Sequence, residues 1–274
     1  MCNITLKRSD NVIKLGVSSA CFYPLETEKA FDKVCEIGCG FAEVFLCAPS
    51  ELDETFIRQI KEHADAAGIN ILSVHPFSSF MENTFLFSPY YRRYTDSIAL
   101  YRRFFEICAY FGSDILVMHG AKDVCAISDE EYCERFAALS EIGKEYGVCL
   151  CQENVVHYKA ESTEYLQKMA HLIGDGFGIT LDIKQARRAD TDEFELIKEL
   201  APFIKHVHIS DCNSQKDCLP PGKGTYDFGK LFKALSDIGY TNGAIIELYR
   251  SSYSDESEVG RAYNTLNSLL KSHF

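Results

Sequence analysis

Six side chains of metal-ligating type stand where short apolar runs of this sequence end: His75, His119, Glu153, Asp182, His208 and Glu247. The stretch 148–154 (VCLCQEN) shows the pattern best. Alternation along a strand puts Cys149, Cys151 and Glu153 on one side, so a carboxylate is delivered at the end of an apolar face. A charge in such a place is paired, hydrogen-bonded or bound to a cation, because burying it alone is costly. One strand-end His or Asp is ordinarily a helix cap or a satisfied core group. The set reads differently, because carboxylates converging on one point repel and a cation offsets that repulsion. The six therefore predict a metal site, with His75 and His119 as its weakest members. His206 shares a strand face with His208 one layer deeper and is expected to support it. The first two apolar runs are read as contributing no ligand.

The elements that must position these residues alternate eight times. Apolar runs at 13–19, 41–46, 70–75, 115–119, 148–154, 177–182, 205–210 and 244–248 predict strands. Between and after them, 27–37, 53–67, 90–111, 128–146, 162–173, 192–200, 227–238 and 256–271 predict helices. Gly38, Gly68 and Gly112 stop the first, second and third of these, and Ser128 with Glu131 has the spacing of a capping box. Eight βα units without interruption predict parallel strands joined by crossover helices. No GxGxxG or GxxxxGK[ST] follows a strand, so an open nucleotide-binding sheet is disfavoured. The expected fold is α/β, a single (β/α)8 TIM barrel spanning residues 1–274, whose strand ends would gather the six side chains at one mouth.

With 274 residues, 46% of them hydrophobic, the chain can bury a large core. Its N-terminal stretch lacks the apolar core of a leader, and no apolar run reaches the ~20 residues a bilayer span needs. Twelve scattered cysteines without a CxxC pair read as reduced thiols, which fits a cytoplasmic location. Cys35 and Cys39 fall among apolar residues and read as core. A formal net charge of −12 repels phosphate backbones and argues against a nucleic-acid partner. The long connection from Pro76 to Pro89 carries Phe77, Phe80, Phe85 and Phe87. It reads either as a wall or lid over a substrate or as a homo-oligomer contact.

The motifs CQEN with Glu153, TLDIKQA with Asp182, HVHISD with His208, PPGKGTYDF in the next loop and IIELYR with Glu247 resemble the xylose isomerase-like barrel superfamily. That group includes ketose 3-epimerases, inosose dehydratase and endonuclease IV nucleases, and the resemblance runs from the first strand to the last. It implies that Glu153, Asp182, His208 and Glu247 hold one divalent metal, Mn2+ first, with Mg2+, Co2+ or Zn2+ as alternatives. It also implies that Glu153 and Glu247 are the acid/base pair, acting beside a carbonyl through a metal-stabilised enediolate. His75, His119, Gln185, Lys223 and Phe77 are the expected contacts to a small carbohydrate substrate.

Departures from the family pattern bear on the substrate. Ketose 3-epimerases carry a His three residues after the Asp of the sixth strand, where this chain has Gln185. They carry an Arg six residues after the His of the seventh, where it has Ser214. The trinuclear nuclease site is broken, because Gln185 replaces one ligand and the loop from Asp211 to Gly224 has no His. The sequence thus favours a metal-dependent isomerase or epimerase. A lyase or dehydratase on a keto-sugar, keto-inositol or keto-glycoside is the alternative, and an endonuclease IV-like nuclease is less favoured.

Overall fold

The structure, a computed structural model, describes residues 13–273, so most of the N-terminal stretch considered as a leader lies outside the described residues. Eight parallel strands close into a barrel in sequence order: β1 (Lys14–Ser18), β2 (Phe41–Phe45), β3 (Asn70–His75), β4 (Ile115–Met118), β5 (Cys149–Glu153), β6 (Gly178–Asp182), β7 (Ile204–Ile209) and β8 (Gly243–Ile246). Every residue of β4, β6 and β8 is buried, as expected for strands covered on the outside by helices and on the inside by one another. The predicted (β/α)8 architecture is the one observed.

Local chemistry explains the helix ends. Helices Thr27–Ile37, Glu54–Ala67 and Tyr91–Phe111 each stop at a glycine in the left-handed conformation, the geometry that frees the chain to turn back into the next strand. Ser128 caps Asp129–Glu145 by accepting from the Glu131 amide at 3.2 Å, as the spacing predicts. Glu131 does not complete the box, because its carboxylate is drawn to Arg135 at 2.5 Å. Among the described residues, helices with no counterpart among the elements expected from periodicity include short turns at Ser79–Met81 and Glu82–Leu86 and the helix Ile183–Arg188, which starts directly at the end of β6, capped by Asp182 itself.

Two register shifts set which side chains face one another near the barrel mouth. Between Ala42 and Glu43 the β2–β3 pairing slips by one residue, so that Glu43 lies opposite Ser73. A second slip between Ile179 and Thr180 puts Asp182 opposite His208. Such irregularities re-aim side chains at barrel rims. Inside the barrel the filling changes along its axis. Ile115, Val117, Cys149 and Cys151 form a small apolar plug apart from the main core between strands and helices. Glu43, Ser73 and His206 form a buried polar layer, and the strand ends lie beyond it.

The long connection after β3 is pinned. Glu82 is buried, and its carboxylate accepts from Ser78 Oγ at 2.7 Å, the Tyr101 hydroxyl at 2.9 Å and the Gly120 amide at 2.5 Å. Arg135 also donates to the carbonyls of Leu86 and Ser88. Phe87 and Phe77 are buried, whereas Phe80 is 70% exposed. This segment is a fixed wall beside the β4 end, with Phe80 and, less fully, Phe85 left in solvent.

Candidate metal centre

One ligating atom from each of Glu153, Asp182, His208 and Glu247 falls within 4.8 Å of the others at the C-terminal end of the barrel. Parallel register brings them there. Asp182 pairs with His208 across β6 and β7, Glu153 closes β5, and Glu247 follows β8 with its amide donating to the Ile209 carbonyl at 3.1 Å. The strand ends are braced by their neighbours in CQEN. Asn154 Oδ1 accepts from the Asp182 amide at 2.7 Å while its Nδ2 donates to the Asp182 carbonyl at 3.1 Å. Gln152 Nε2 donates to the His119 carbonyl at 2.8 Å, and its Oε1 accepts from the Tyr132 hydroxyl at 2.6 Å.

His208 is oriented from behind. Its Nε2 lies 3.0 Å from Glu43 Oε2, and an ionised carboxylate can only accept, so Nε2 carries the proton. Its Nδ1 is thereby turned to Glu153 Oε1 at 3.7 Å and Glu247 Oε2 at 3.6 Å. The second strand, read from the sequence as contributing no ligand, supplies instead the carboxylate that orients one. Glu43 sits mid-strand, so a search of strand ends passes over it, yet an acid within FAEVF carries the same warning as Glu153. Oε2 of Glu43 also accepts from Ser73 Oγ at 2.7 Å and faces His206 Nε2 at 3.2 Å. His206 is accordingly the deeper, supporting histidine.

His75 and His119 point at the same carboxylate. Their Nε2 atoms are 3.0 Å apart and lie 3.4 Å and 3.0 Å from Glu153 Oε2. His75 is buried between Phe45 and His119, whereas the His119 side chain is 22% exposed toward the mouth. Gly120 follows in the left-handed region, and a Cβ there would strike the Tyr132 hydroxyl, so glycine is required for His119 to hold this place.

Other expected contacts lie elsewhere. Gln185 is buried in the first turn after Asp182 and accepts from the Val156 amide at 3.4 Å. Phe77 turns away into the core against Phe104, with ring centroids 5.8 Å apart, because the pinned wall fixes its backbone. The Lys223 side chain is 57% exposed, with its ammonium 3.8 Å from Glu258; the turn at Pro220–Gly224 carries it outward and the structure does not bring it to the cluster. Lys184, which sequence spacing does not single out, enters instead. The helix starting at Asp182 folds it back, so that Nζ stands 2.6 Å from Asp182 Oδ2 and 2.9 Å from Glu247 Oε2.

Electrostatics reflect this crowding. Burial alone would neutralise Glu153, but His119, His208 and His75 outweigh it and hold the carboxyl well below its usual range. Glu43 is held down against burial in the same way by His208 and His206. Burial opposes charge on Lys184, yet Asp182 and Glu247 raise its pKa well above the ordinary lysine range.

The residues fit a divalent metal. Three carboxylates and one imidazole form an oxygen-rich donor set for Mn2+ or Mg2+, and Zn2+ also accepts it. Two buried atoms of these residues, Glu153 Oε2 and His208 Nδ1, make no well-aligned hydrogen bond, although His119 and His75 stand close to the first. A cleft of about 650 Å³ opens between the loops after β1 and β8, lined by Ala20, Tyr23, Pro24, Tyr249 and Tyr253 among others, and the centroid of its Tyr249 ring lies 5.1 Å from Lys184 Nζ.

Over residues 31–269 the chain matches the family described as xylose isomerase-like TIM barrel, and it belongs to that family. It is 25% identical over 252 residues to an uncharacterised protein of Methanocaldococcus jannaschii, covering 86% of this chain and 89% of that one. It is also 25% identical over 160 residues to the inosose dehydratase of Klebsiella pneumoniae, covering 50% and 53% respectively. The fold is shared with a D-tagatose 3-epimerase-like protein, with a TM-score of 0.77 at 23% identity over 95% of this chain and 98% of that one.

Proposed function

We propose that this protein is a divalent-metal-dependent sugar isomerase or epimerase that transfers a proton at the carbon next to a carbonyl. The observation that carries the reading is the pair of glutamates at one donor cluster, Glu153 on β5 and Glu247 beyond β8, each within 3.7 Å of the same His208 Nδ1. A divalent cation held there, Mn2+ before Mg2+, Co2+ or Zn2+, supplies a Lewis acid for the carbonyl and neighbouring hydroxyl oxygens.

The chain's own residues do the rest. Glu247, more open to the mouth at 14% side-chain exposure against 2% for Glu153, takes or returns a proton on the side facing the cleft. Glu153 does so from the β5 side. His119 donates to a substrate oxygen, with His75 Nε2 standing 3.0 Å from its Nε2. Tyr23 and Tyr249 offer flat apolar walls for the carbon face of a sugar, and the pinned segment at 76–89 excludes water. A small carbohydrate as partner and a cytoplasmic location belong to the same reading.

A dehydratase acting on a keto-sugar or keto-inositol is the second reading. It is favoured by the inosose dehydratase relative and uses the same proton abstraction with loss of a β-hydroxyl. The test is to incubate the Mn2+-loaded protein in D2O with ketoses, keto-inositols and 3-keto-glycosides and follow deuterium by NMR. Solvent deuterium beside the carbonyl with the skeleton retained supports the first reading. Loss of water supports the second, and no exchange with any carbonyl sugar defeats both.

A further inference from the structure

The metal-ligand cluster contains a cation of its own, and its position bears on metal binding. Asp182 has only one oxygen to offer. Oδ1 caps the following helix, accepting from the amides of Lys184 at 2.7 Å and Gln185 at 3.1 Å. The remaining oxygen, Oδ2, is the one Lys184 Nζ occupies at 2.6 Å, and the same ammonium reaches Glu247 Oε2 at 2.9 Å. The Lys184 side chain is 3% exposed, too buried to be an ornament of the rim. A dication held by Asp182 would compete with the ammonium for that one oxygen, and with Glu247 also in the ligand group it would stand against the same positive charge.

We propose that Lys184 is a tethered cation that neutralises the Asp182–Glu247 pair in the metal-free protein and is displaced when the divalent metal enters. Without it, three carboxylates would converge in a largely buried site with only His208 and, at Glu153, His75 and His119 to offset them. With it, the apo cluster is stable, and metal affinity is set by a competition between a covalently attached monocation and a free dication. The displaced ammonium has somewhere to go. The Tyr249 ring centroid lies 5.1 Å from Nζ, on the wall of the cleft, and an aromatic face accepts a lysine cation. This inference rests on the metal reading proposed for the site and deepens it by naming what the metal must displace.

The test compares wild type, Lys184→Met and Lys184→Arg by calorimetric titration with Mn2+ alone and by melting with and without the metal. Lys184→Met is expected to bind Mn2+ about tenfold tighter or more. Its apo form should melt below wild type and its Mn2+-saturated form close to it. Lys184→Arg keeps the charge and should retain both the weaker affinity and the higher apo melting point. Equal or weaker Mn2+ binding by Lys184→Met, with the wild type still binding, overturns this inference and leaves the metal reading intact. Failure of both proteins to bind any Mn2+ overturns the two together. Should Lys184→Met not fold, a Mn2+-soaked crystal of the wild type decides. Nζ beyond hydrogen-bond reach of Asp182 Oδ2 supports displacement, and Nζ retained there beside the bound ion excludes it.

Discussion

His208 Nε2 and Glu43 Oε2 lie 3.0 Å apart in the barrel interior, and this one contact decides which nitrogen of His208 faces the ligand cluster. Carboxylates behind metal-binding histidines fix the tautomer and raise ligand basicity. Replacing Glu43 with Gln keeps the shape and removes the charge, so Mn2+ affinity should weaken about 10–100-fold with the fold retained. Glu43→Ala, which leaves His206 and His208 facing an empty space, should cost about 3–5 kcal/mol in urea unfolding. Unchanged Mn2+ affinity in Glu43→Gln, measured by titration calorimetry, would remove the orienting role.

Why Glu43 escapes a reading of the sequence while Glu153 does not is a matter of register. Parallel strands buried on both sides read as short apolar runs, so their ends, and with them His75, His119, Glu153 and Asp182, are legible directly. The alternation of Cys149, Cys151 and Glu153 is equally readable, and the two thiols stand 3.8 Å apart on one face. Glu43 depends on a slip in pairing between Ala42 and Glu43 that no local pattern announces. Lys184 depends on a short helix beginning directly after the last residue of β6, and Lys223 on the direction in which a Pro-Gly turn leaves the barrel.

The loop after β7 is organised by one buried carboxylate, and its loss should be local. Asp211 Oδ1 accepts from the amides of Cys212 at 2.7 Å and Tyr226 at 3.0 Å, and Oδ2 from those of Gly222 and Gly224, both at 2.9 Å. Asp211→Ala leaves these donors without their acceptor and should destabilise the protein by about 3 kcal/mol or more. Hydrogen exchange at Gly222, Gly224 and Tyr226 should accelerate while β7 stays protected. Uniform acceleration across the barrel would show instead that Asp211 supports the whole fold.

His75 and His119 reach Glu153 Oε2 and so share Glu153 with the four-residue cluster, and a count of metal ions separates two roles for them. The expected result is one tightly held ion per chain in wild type, retained in His119→Ala, with kcat reduced by about 10²–10⁴ as for loss of a proton-transferring or oxyanion-holding group. Two ions per chain, the second lost in His119→Ala, would assign the histidines to a dinuclear centre.

Two glutamates at one cluster make the loss of rate on replacing either an ambiguous result, because each is at once a ligand and a base. Isotope exchange resolves this. With its true substrate in D2O the wild-type protein should place deuterium at the carbon beside the carbonyl, since the proton removed by a carboxylate mixes with solvent before return. Glu153→Gln and Glu247→Gln should each be checked for metal content first. A variant that keeps its metal is expected to exchange from the face served by the remaining glutamate while failing to complete epimerisation. Glu247 is the more open of the two, and its side chain also meets Lys184, so Glu247→Gln should lose solvent exchange on the cleft side while Glu153→Gln keeps it. Equal exchange in both variants would mean that neither glutamate is dedicated to one face. Transfer of the substrate's own hydrogen without solvent label would replace proton transfer by an intramolecular hydride shift.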